Sequence, residues 1–317
     1  MHFFIVTPSF NQVDYLKHCV LSVADQAGEN VRIHHHIQDG GSTDGTVDWL
    51  RQYDAEISSQ QSAVSSDLGS PFSGVCHGYT FSYSSESDAG MYDALNRGID
   101  QCEDALRNAS PSTQTSDCIF AWLNCDEQYL PGALEKVATF FAEHSAVDFA
   151  YGDALNVDPS GALLTYRKNP PLRRAYVLAD HLYTQSAAMF FRARVFAADF
   201  RFDTRWRAVS DCDLVCRMLR QGFVAGPLRQ YLSVFTMTGK NLSVLDAGRR
   251  ELTDFRREQP LLARLMRWPL NGCRFVEKAL RGGYVHHGSL EYEVYADDSA
   301  VRRTFSAKRP SSRFRWE

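Results

Sequence analysis

Acidic residues follow several short apolar runs of this sequence, where a carboxylate can bind a cation or accept a proton. Asp126 follows the apolar run 118–123, and Asn124 lies two residues before it. Carboxylate and amide oxygens in such a loop suit Mg²⁺ or Mn²⁺, whose remaining ligands a diphosphate can supply. An exposed acidic loop before the next helix is the alternative explanation of the same residues.

Asp211 is a second candidate for chemistry, because it directly precedes a helical pattern. Leu214, Val215 and Met218 recur at helical spacing, so we expect Asp211 at the start of a helix. The positive end of the helix favours an ionised carboxylate, which a general base needs. Ordinary helix capping also explains an Asp at this position.

The segment 39–46 contains two carboxylates, three glycines and three hydroxyls. Glycine permits a close approach of the backbone, and the Asp39 carboxylate can accept a hydrogen bond from a nucleobase or a ribose hydroxyl. A tight turn followed by a helix cap remains an alternative. The spacing does not fit a dinucleotide fingerprint, and no Walker-type lysine follows.

These candidates need elements to position them, and the sequence predicts those elements as alternating strands and helices. Apolar and alternating runs predict strands near 3–6, 33–37, 79–83 and 118–123. Helical periodicity predicts helices near 12–26, capped by Asn11, and near 43–53 and 91–106. The β-α-β-α order predicts a parallel sheet with its ligands at the carboxyl ends of the strands.

Composition limits the class of protein. The chain has 317 residues, 44% of them hydrophobic, and a formal net charge of -4. No apolar run approaches the roughly 18 residues that span a bilayer, so we expect a cytoplasmic protein. The Ser-rich stretch 55–79 is interpreted as a surface insertion. The eight cysteines include no CxxC pair. The acidic character of the chain outside its C-terminal part disfavours nucleic acid as a partner.

Five motifs occur in the order typical of one known family. They are FIVTPSFN at 4–11, the turn at 39–46, SESDAGMYDALNRG at 85–98, WLNCDE at 122–127 and VSDCDL at 209–214. Over residues 3–240 the chain therefore resembles the family 2 glycosyltransferases. The resemblance implies a GT-A fold, which is Rossmann-like with a mostly parallel central sheet. It also implies a nucleotide-sugar donor, a divalent metal and an inverting single displacement.

The resemblance further implies roles for individual residues. Asp39 matches a position that contacts the base, with UDP-type donors favoured, and Asp126 matches the metal-binding end of the family's D-x-D motif. Asn124 replaces the first Asp of that motif, and Ser210 replaces a Glu that often precedes the catalytic base, which Asp211 matches. The positions that match donor-binding residues are Thr7, Pro8, Asp39, Asp88, Asn96 and Asn124.

The C-terminal part of the chain differs in charge from the rest. Residues 249–317 contain 15 Lys and Arg against 9 Asp and Glu. We therefore divide the chain into a GT-A domain at 1–248 and a helical, basic extension at 249–317. The segments 264–270 and 274–281 mix basic with apolar residues, as interfacial helices do. Packing of the apolar face on the core, with solvated arginines, is the alternative to contact with a membrane.

The sequence thus predicts a metal-dependent inverting glycosyltransferase, using Mn²⁺ or Mg²⁺. Its acceptor is expected to be a glycan or a lipid-linked molecule, in bacterial surface polysaccharide or glycoconjugate synthesis at the inner face of the membrane. A non-catalytic nucleotide-sugar-binding or scaffold protein is the alternative that Asn124 and Ser210 leave open. A sugar nucleotidyltransferase needs a Gly-rich basic loop near residue 10, which is absent.

Overall fold

Alternating strands and helices build most of the protein. The computed structural model describes residues 1–63, 78–108, 118–198, 200–239, 241, 246–297 and 299–313. The strands are β1 His2–Ser9, β2 Arg32–Asp39, β3 Tyr79–Ser85, β4 Cys118–Trp122, β5 Glu127–Tyr129, β6 Phe149–Val157, β7 Leu163–Arg167, β8 Met189–Arg192, β9 Ala225–Thr236, β10 Leu290–Val294 and β11 Arg303–Ala307. The helices are α1 Val13–Ala24, α2 Thr46–Ala63, α3 Met91–Asn108, α4 Ala133–Glu143, α5 Arg174–Ala179, α6 Ala193–Ala197, α7 Ser210–Arg220, α8 Asp246–Glu258, α9 Leu261–Leu265 and α10 Arg267–Leu280.

Within the described residues, nine strands form one mixed sheet in the order β3-β2-β1-β4-β8-β6-β9-β5, with β7 paired to β6. β1 to β4 are mutually parallel, and so are β6 and β9. β8, β5 and β7 pair antiparallel with their neighbours. The predicted α/β class with a mostly parallel sheet is confirmed.

Helices cover both faces of the sheet, because β1 is apolar on both sides. Phe4 and Val6 face a core shared with α3, α5 and α7. Phe3 and Ile5 face the opposite core, which includes side chains of α1 and α4. This alternation follows from the period of two along a strand, and burial on both faces is typical of a parallel sheet.

The start of α1 differs from its prediction. Asn11 does not cap α1; its backbone has a φ of 50°, and its side-chain oxygen accepts a hydrogen bond from the Thr43 amide at 2.8 Å. The Val13 amide instead donates to Asp44 at 3.0 Å, and Asp44 also accepts from the Thr46 amide at the start of α2. One carboxylate therefore caps two helices from a loop that is distant in the sequence.

The C-terminal extension contains a hairpin besides its predicted helices. β10 and β11 form a separate two-stranded antiparallel sheet, whose apolar residues share a core with β6, β7 and β9. The Tyr295 amide and carbonyl both bond to the Gln128 side chain. Arg302 pairs with Asp25 of α1 at 2.6 Å. The extension therefore packs as part of the same core.

Two predicted loops fall mainly outside the described residues. The insertion predicted at 55–79 begins inside α2, and its residues 64–77 are not described. The same is true of residues 109–117 in the loop after α3. Among the described residues, no helix has the length and apolar character needed to cross a membrane.

The helix α10 packs with its polar side facing the protein. Arg267 and Arg274 both reach Asp180, at 3.3 and 3.1 Å, and Arg256 of α8 reaches it at 2.6 Å. Burial opposes ionisation of Asp180, but His181 and the arginines hold its pKa well below the usual range. The apolar residues of α9 and α10 consequently face solvent: Leu261, Leu262, Leu265, Trp268, Phe275, Val276 and Leu280.

Close packing of α3 on β1 generates the first prediction. A Cβ at Gly98 would lie 2.3 Å from Cγ1 of Val6, although nothing lies within 4 Å of a Cβ at Gly272 in α10. We expect Gly98→Ala to lower the free energy of unfolding by about 1–3 kcal/mol through overpacking. Gly272→Ala should raise it by up to about 1 kcal/mol, because alanine favours a helix.

Urea denaturation of the two variants beside the wild type measures both effects. The substitution is chemically identical in each, so helix propensity alone predicts the same sign for both. A Gly98→Ala protein as stable as the Gly272→Ala protein would contradict the packing described for α3.

Candidate active site

The carboxyl ends of β1, β2, β3 and β4 lie together at one edge of the sheet. Hydrogen bonds join the loops that leave them: the Gly40 amide donates to Ser9 at 2.8 Å, and the Glu86 amide donates to Asp39 at 3.0 Å. The Cys125 thiol donates to the Pro8 carbonyl at 3.2 Å. Four of the five sequence motifs therefore come together at this edge.

Asp39 organises the loop that follows β2. Its carboxylate accepts from the amides of Gly41 and Ser42 at 3.0 and 2.9 Å, and from the hydroxyls of Ser42 and Ser85 at 2.5 and 2.7 Å. The side chain is completely buried. The contact of Asp39 with a base stays a prediction, and the geometry described here gives its carboxylate the role of shaping the loop.

A glycine lets an acidic and an aromatic side chain approach this loop. A Cβ at Gly40 would lie 2.7 Å from a carboxylate oxygen of Asp88 and 3.3 Å from the ring of Phe10. The other Asp88 oxygen accepts from the Gly90 amide at 2.8 Å. Phe10 is 60% exposed, which is unusual for so large an apolar residue beside a cluster of polar groups. The sequence analysis missed Phe10, although its place directly after β1 was a signal.

Three predicted donor-binding residues have their polar groups engaged within the protein. The Thr7 hydroxyl is buried 2.9 Å from Nε2 of His35, and the Pro8 carbonyl accepts from Cys125. The Asn96 amide exchanges two 2.9 Å hydrogen bonds with the backbone of Phe202. Asn96 thereby fixes the segment that leads into α7. Direct contact of these residues with a donor stays a prediction.

The loop after β4 concentrates negative charge. The buried Glu127 accepts from the Asn124 amide at 2.7 Å, and burial, reinforced by Asp126, raises its pKa well above the usual range. Burial also raises the pKa of Asp126 to about 6, against a 2.6 Å hydrogen bond from the Asn241 amide group. Asn241 is a further residue that sequence reasoning missed, 115 positions away from Asp126.

The atoms of this loop fit a divalent cation that shares its ligands with a substrate. Asn124 Oδ1 is buried and has no hydrogen-bond partner among the described residues, so it is available as an oxygen ligand. Asn241 contacts Oδ2 of Asp126, and no hydrogen bond to Oδ1 is present among those residues. They contain no group of three His, Cys, Asp or Glu side chains able to hold a metal alone. Phosphate oxygens of a donor would complete the shell.

Asp211 lies in the first turn of α7, as predicted. It accepts from the Tyr92 hydroxyl at 3.2 Å and from the Cys212 amide at 2.7 Å. Burial raises its pKa to about 6, against these two hydrogen bonds. Burial therefore opposes the ionised form that the helix start is expected to favour, and that expectation stays a prediction.

Asp211 belongs to the same electrostatic environment as the loop after β4. The charges of Asp126 and Asp211 both raise the pKa of Glu127. The segment before α7 is held by Glu251 of α8, which accepts from the amides of Arg207, at 2.6 Å, and Ala208. Sequence reasoning missed Glu251, since nothing local marks it. The arrangement brings a candidate base and a candidate metal ligand to one region of the molecule.

Comparison with known proteins finds glycosyltransferases among similar sequences. The sequence model of glycosyl transferase family 2 matches residues 4–64. A PGL/p-HBAD biosynthesis glycosyltransferase of Mycobacterium bovis is 25% identical over 219 residues, covering 68% of each chain. An uncharacterized glycosyltransferase of Mycobacterium tuberculosis is 25% identical over 284 residues, 88% of this chain and 89% of its own. The chain is therefore similar to the glycosyltransferases of family 2.

Solved structures place the fold of this glycosyltransferase among GT-A enzymes. Staphylococcus aureus TarS 1-349 with UDP-GlcNAc matches with a TM-score of 0.52 and 13% identity, covering 95% of this chain and 99% of that one. The match to the longer TarS structure covers 60% of that chain. The mannosyltransferase PcManGT of Pyrobaculum calidifontis, with GDP-Man and Mn²⁺, matches with a TM-score of 0.50 and 13% identity, covering 88% and 75%. The predicted GT-A fold is confirmed.

The raised pKa of Asp211 generates a prediction about stability and rate together. A folded-state pKa of about 6 lies above the unfolded value, so the charged carboxylate destabilises the fold once pH exceeds about 4, and fully above 6. Asp211→Asn should raise the free energy of unfolding at pH 7.5 by about 1–2 kcal/mol. It should also lower transfer by about 10² or more, because an amide cannot accept the proton.

Urea denaturation at pH 7.5 and pH 4 measures the first effect, which should largely vanish at the lower pH. Asp213→Asn is the matched control. Asp213 pairs with Arg217 at 2.7 Å, so its loss should cost a little stability and leave transfer within a few-fold of wild type. Normal transfer by Asp211→Asn would assign the base elsewhere.

Proposed function

We propose that this glycosyltransferase inverts the sugar that it transfers, from a nucleoside-diphosphate donor to a hydroxyl of a glycan or lipid-linked acceptor. UDP-type donors are favoured, and the proposed setting is bacterial surface polysaccharide or glycoconjugate synthesis. The observation that carries the proposal is the half-buried Asp211, which the Tyr92 hydroxyl and the Cys212 amide orient and whose pKa of about 6 suits proton transfer near neutral pH. Structural neighbours in complex with UDP-GlcNAc and GDP-Man support a nucleotide sugar as donor.

The donor is proposed to bind over the loops at the carboxyl ends of β1 and β2. The exposed ring of Phe10 offers a flat apolar surface for a base, beside the Asp88 carboxylate, which can accept from ribose hydroxyls. The Asp39 carboxylate accepts four hydrogen bonds, and these hold the neighbouring loop in place. In open parallel sheets, ligands bind at the carboxyl ends of the strands, which is where this surface lies.

Asp126 and Asn124 are proposed to hold Mn²⁺ or Mg²⁺ together with the donor diphosphate. When bound, the cation stabilises the negative charge that develops on the departing nucleoside diphosphate. Asn124 supplies a neutral ligand, so Asp126 contributes the protein's charge at this position. A structural neighbour in complex with Mn²⁺ supports this part of the proposal.

Asp211 is proposed to accept the proton of the acceptor hydroxyl as the new glycosidic bond forms. The Tyr92 hydroxyl and the Cys212 amide orient the carboxylate, and Glu251 fixes the segment before it. A positioned base typically contributes about 10² to 10⁴ in rate. Attack from the face opposite the leaving group inverts the anomeric carbon.

The proposed metal site generates a prediction that also tests the class of protein. Wild-type protein should hydrolyse one member of a panel of nucleotide sugars, faster with Mn²⁺ than with a chelator. Asp126→Ala should abolish the stimulation by metal, because it removes the only carboxylate proposed to bind it. Asn241→Ala, which leaves that carboxylate in place, should retain it.

Release of nucleoside diphosphate and the thermal midpoint of each variant are the measurements. Donor binding without any hydrolysis or transfer by the wild type would favour the non-catalytic alternative. Unchanged stimulation by Mn²⁺ in Asp126→Ala would remove Asp126 as the ligand.

The outer surface of α9 and α10 is proposed to contact the membrane that carries a lipid-linked acceptor. Trp268 is 78% exposed and Leu280 is 83% exposed, whereas Arg267 and Arg274 of α10 turn inward to Asp180. A water-soluble surface rarely presents such a continuous apolar strip. Residues 260–288 contain five Lys and Arg against one Glu, which suits an anionic bilayer.

This geometry changes the balance of forces expected for the contact. Of the basic residues in these segments, Arg267 and Arg274 are engaged with Asp180. Burial of the exposed apolar side chains is therefore the main contribution, at about 25 cal/mol per Å². High salt should weaken binding without abolishing it.

The apolar strip generates a prediction about vesicle binding. Full-length protein should sediment with phosphatidylglycerol vesicles, and Trp268→Glu or Leu280→Glu should reduce binding at least tenfold. Val301→Glu is the matched control, because Val301 is 71% exposed outside α9 and α10. Absence of sedimentation would contradict contact with a membrane. A change of molar mass in Trp268→Glu would favour a second copy of the chain as the partner of this surface.

A further inference from the structure

A cavity of about 140 Å³ lies between the sheet and α10, lined by residues outside the candidate active site. Its charged lining comes from β6, the segment after β7, β9 and the end of α10: Asp153, Lys168, Arg229, Lys278 and Arg281. A single water needs about 10–15 Å³, so the cavity has room for the oxygens of a phosphate group.

The cavity has a surplus of positive charge. Among the described residues, Lys168, Arg229 and Lys278 form no ion pair with a carboxylate. Arg281 contacts Glu277 at 3.4 Å. Asp153 is the one acidic residue of the lining, and burial raises its pKa to about 6. Three cationic side chains without a carboxylate partner among the described residues therefore line the cavity together with a single carboxyl.

The pKa of Lys278 reflects this surplus of positive charge. Burial lowers its pKa to about 8, and the charges of Arg167 and Arg274 lower it further against the opposing effect of Asp153. Within the described residues the Lys278 ammonium lies over the Tyr284 ring, 5.1 Å from its centroid, and forms no ion pair with a carboxylate. An anion in the cavity would supply a compensating negative charge, and Lys and Arg are the side chains that bind phosphate.

The cavity lies beside the candidate active site along the sheet. Phe120 of β4 and Phe149 of β6 both pair with Phe191 of β8. Asn124 follows the end of β4 and Asp153 lies in β6, and β8 alone separates these two strands in the sheet. The helix α5 begins after the cavity's Pro171 and packs on both α7, which carries Asp211, and α10.

The helix α10 connects this cavity with the apolar outer surface. Lys278 and Arg281 line the cavity, whereas Phe275 and Leu280 of the same helical turns face outward. A molecule with a phosphate next to an apolar chain matches both surfaces at once. A lipid-linked acceptor has this chemistry.

We propose that this cavity binds a phosphate or diphosphate group carried by the acceptor, and so directs the acceptor's sugar hydroxyl toward Asp211. The inference rests on the proposed transfer to a lipid-linked acceptor. It assigns Lys278 and Arg229 as binding residues for the phosphate and leaves the reaction itself to Asp211.

The test uses full-length protein saturated with UDP, so that the donor site is filled. Inorganic diphosphate is titrated by calorimetry into wild type, Lys278→Met, Arg229→Met and the control Arg257→Met. Arg257 is a solvent-exposed arginine of α8, and Arg257→Met removes the same single positive charge as the cavity variants do. We expect saturable binding that weakens at least tenfold in the two cavity variants and is unchanged in the control. Equal binding by all four proteins would overturn the proposal.

Two further probes distinguish the source of the phosphate. Binding of geranyl diphosphate, a short lipid diphosphate, should weaken in the cavity variants, and binding to phosphatidylglycerol vesicles should not. If the cavity variants lose vesicle binding but bind geranyl diphosphate as the wild type does, the assignment to the acceptor is overturned. Donor hydrolysis, measured on the same preparations, reports the proposed function separately, and thermal midpoints confirm that each variant is folded.

Discussion

The candidate active site depends on the parallel pairing of β1 with both β2 and β4. In this register Ser9 lies opposite Asp39, Asp39 lies opposite Ser85, and Val6 lies opposite Trp122. Four loops consequently leave the sheet at one edge. A slip of one residue would exchange the two faces of a strand, so burial on both faces strongly fixes this register. The position of every candidate group at the edge follows from it.

The same edge gathers carboxyl groups that water would otherwise stabilise better. Burial raises the pKa of Asp126, Glu127 and Asp211, and the charges of Asp126 and Asp211 raise that of Glu127 further. A fold selected for stability alone would place neutral groups here. Clusters of carboxyl groups with raised pKa values are characteristic of sites that bind a cation or transfer a proton.

Local patterns were sufficient to predict most of the sheet and its helices. The apolar run of β1, the alternation of β2 and the spacing in α7 each depend on neighbours within a few residues. The first turn of α1 differed because its cap, Asp44, comes from a loop 31 residues away from Val13. Periodicity carries no information about such a partner.

The candidate site was predicted less completely, for related reasons. Family motifs indicated Asp126 and Asp211, but they did not show that Asn96 is engaged by the Phe202 backbone. Asn241 and Glu251 act through single contacts across the fold, so no local motif marks them. Helical periodicity revealed an amphipathic α10, but which side faces inward was decided by Asp180, far from it in the sequence.

The bond between Gln128 and Tyr295 has a consequence for synthesis on the ribosome. The two residues are 167 positions apart, so at about 5–20 residues per second the partner of Gln128 emerges roughly 8–30 s later. During that interval the region around β5 lacks its final cover, and Asp25 of α1 lacks Arg302. The nascent enzyme is therefore exposed at its sheet edge until the segment that contains β10 and β11 has been synthesised.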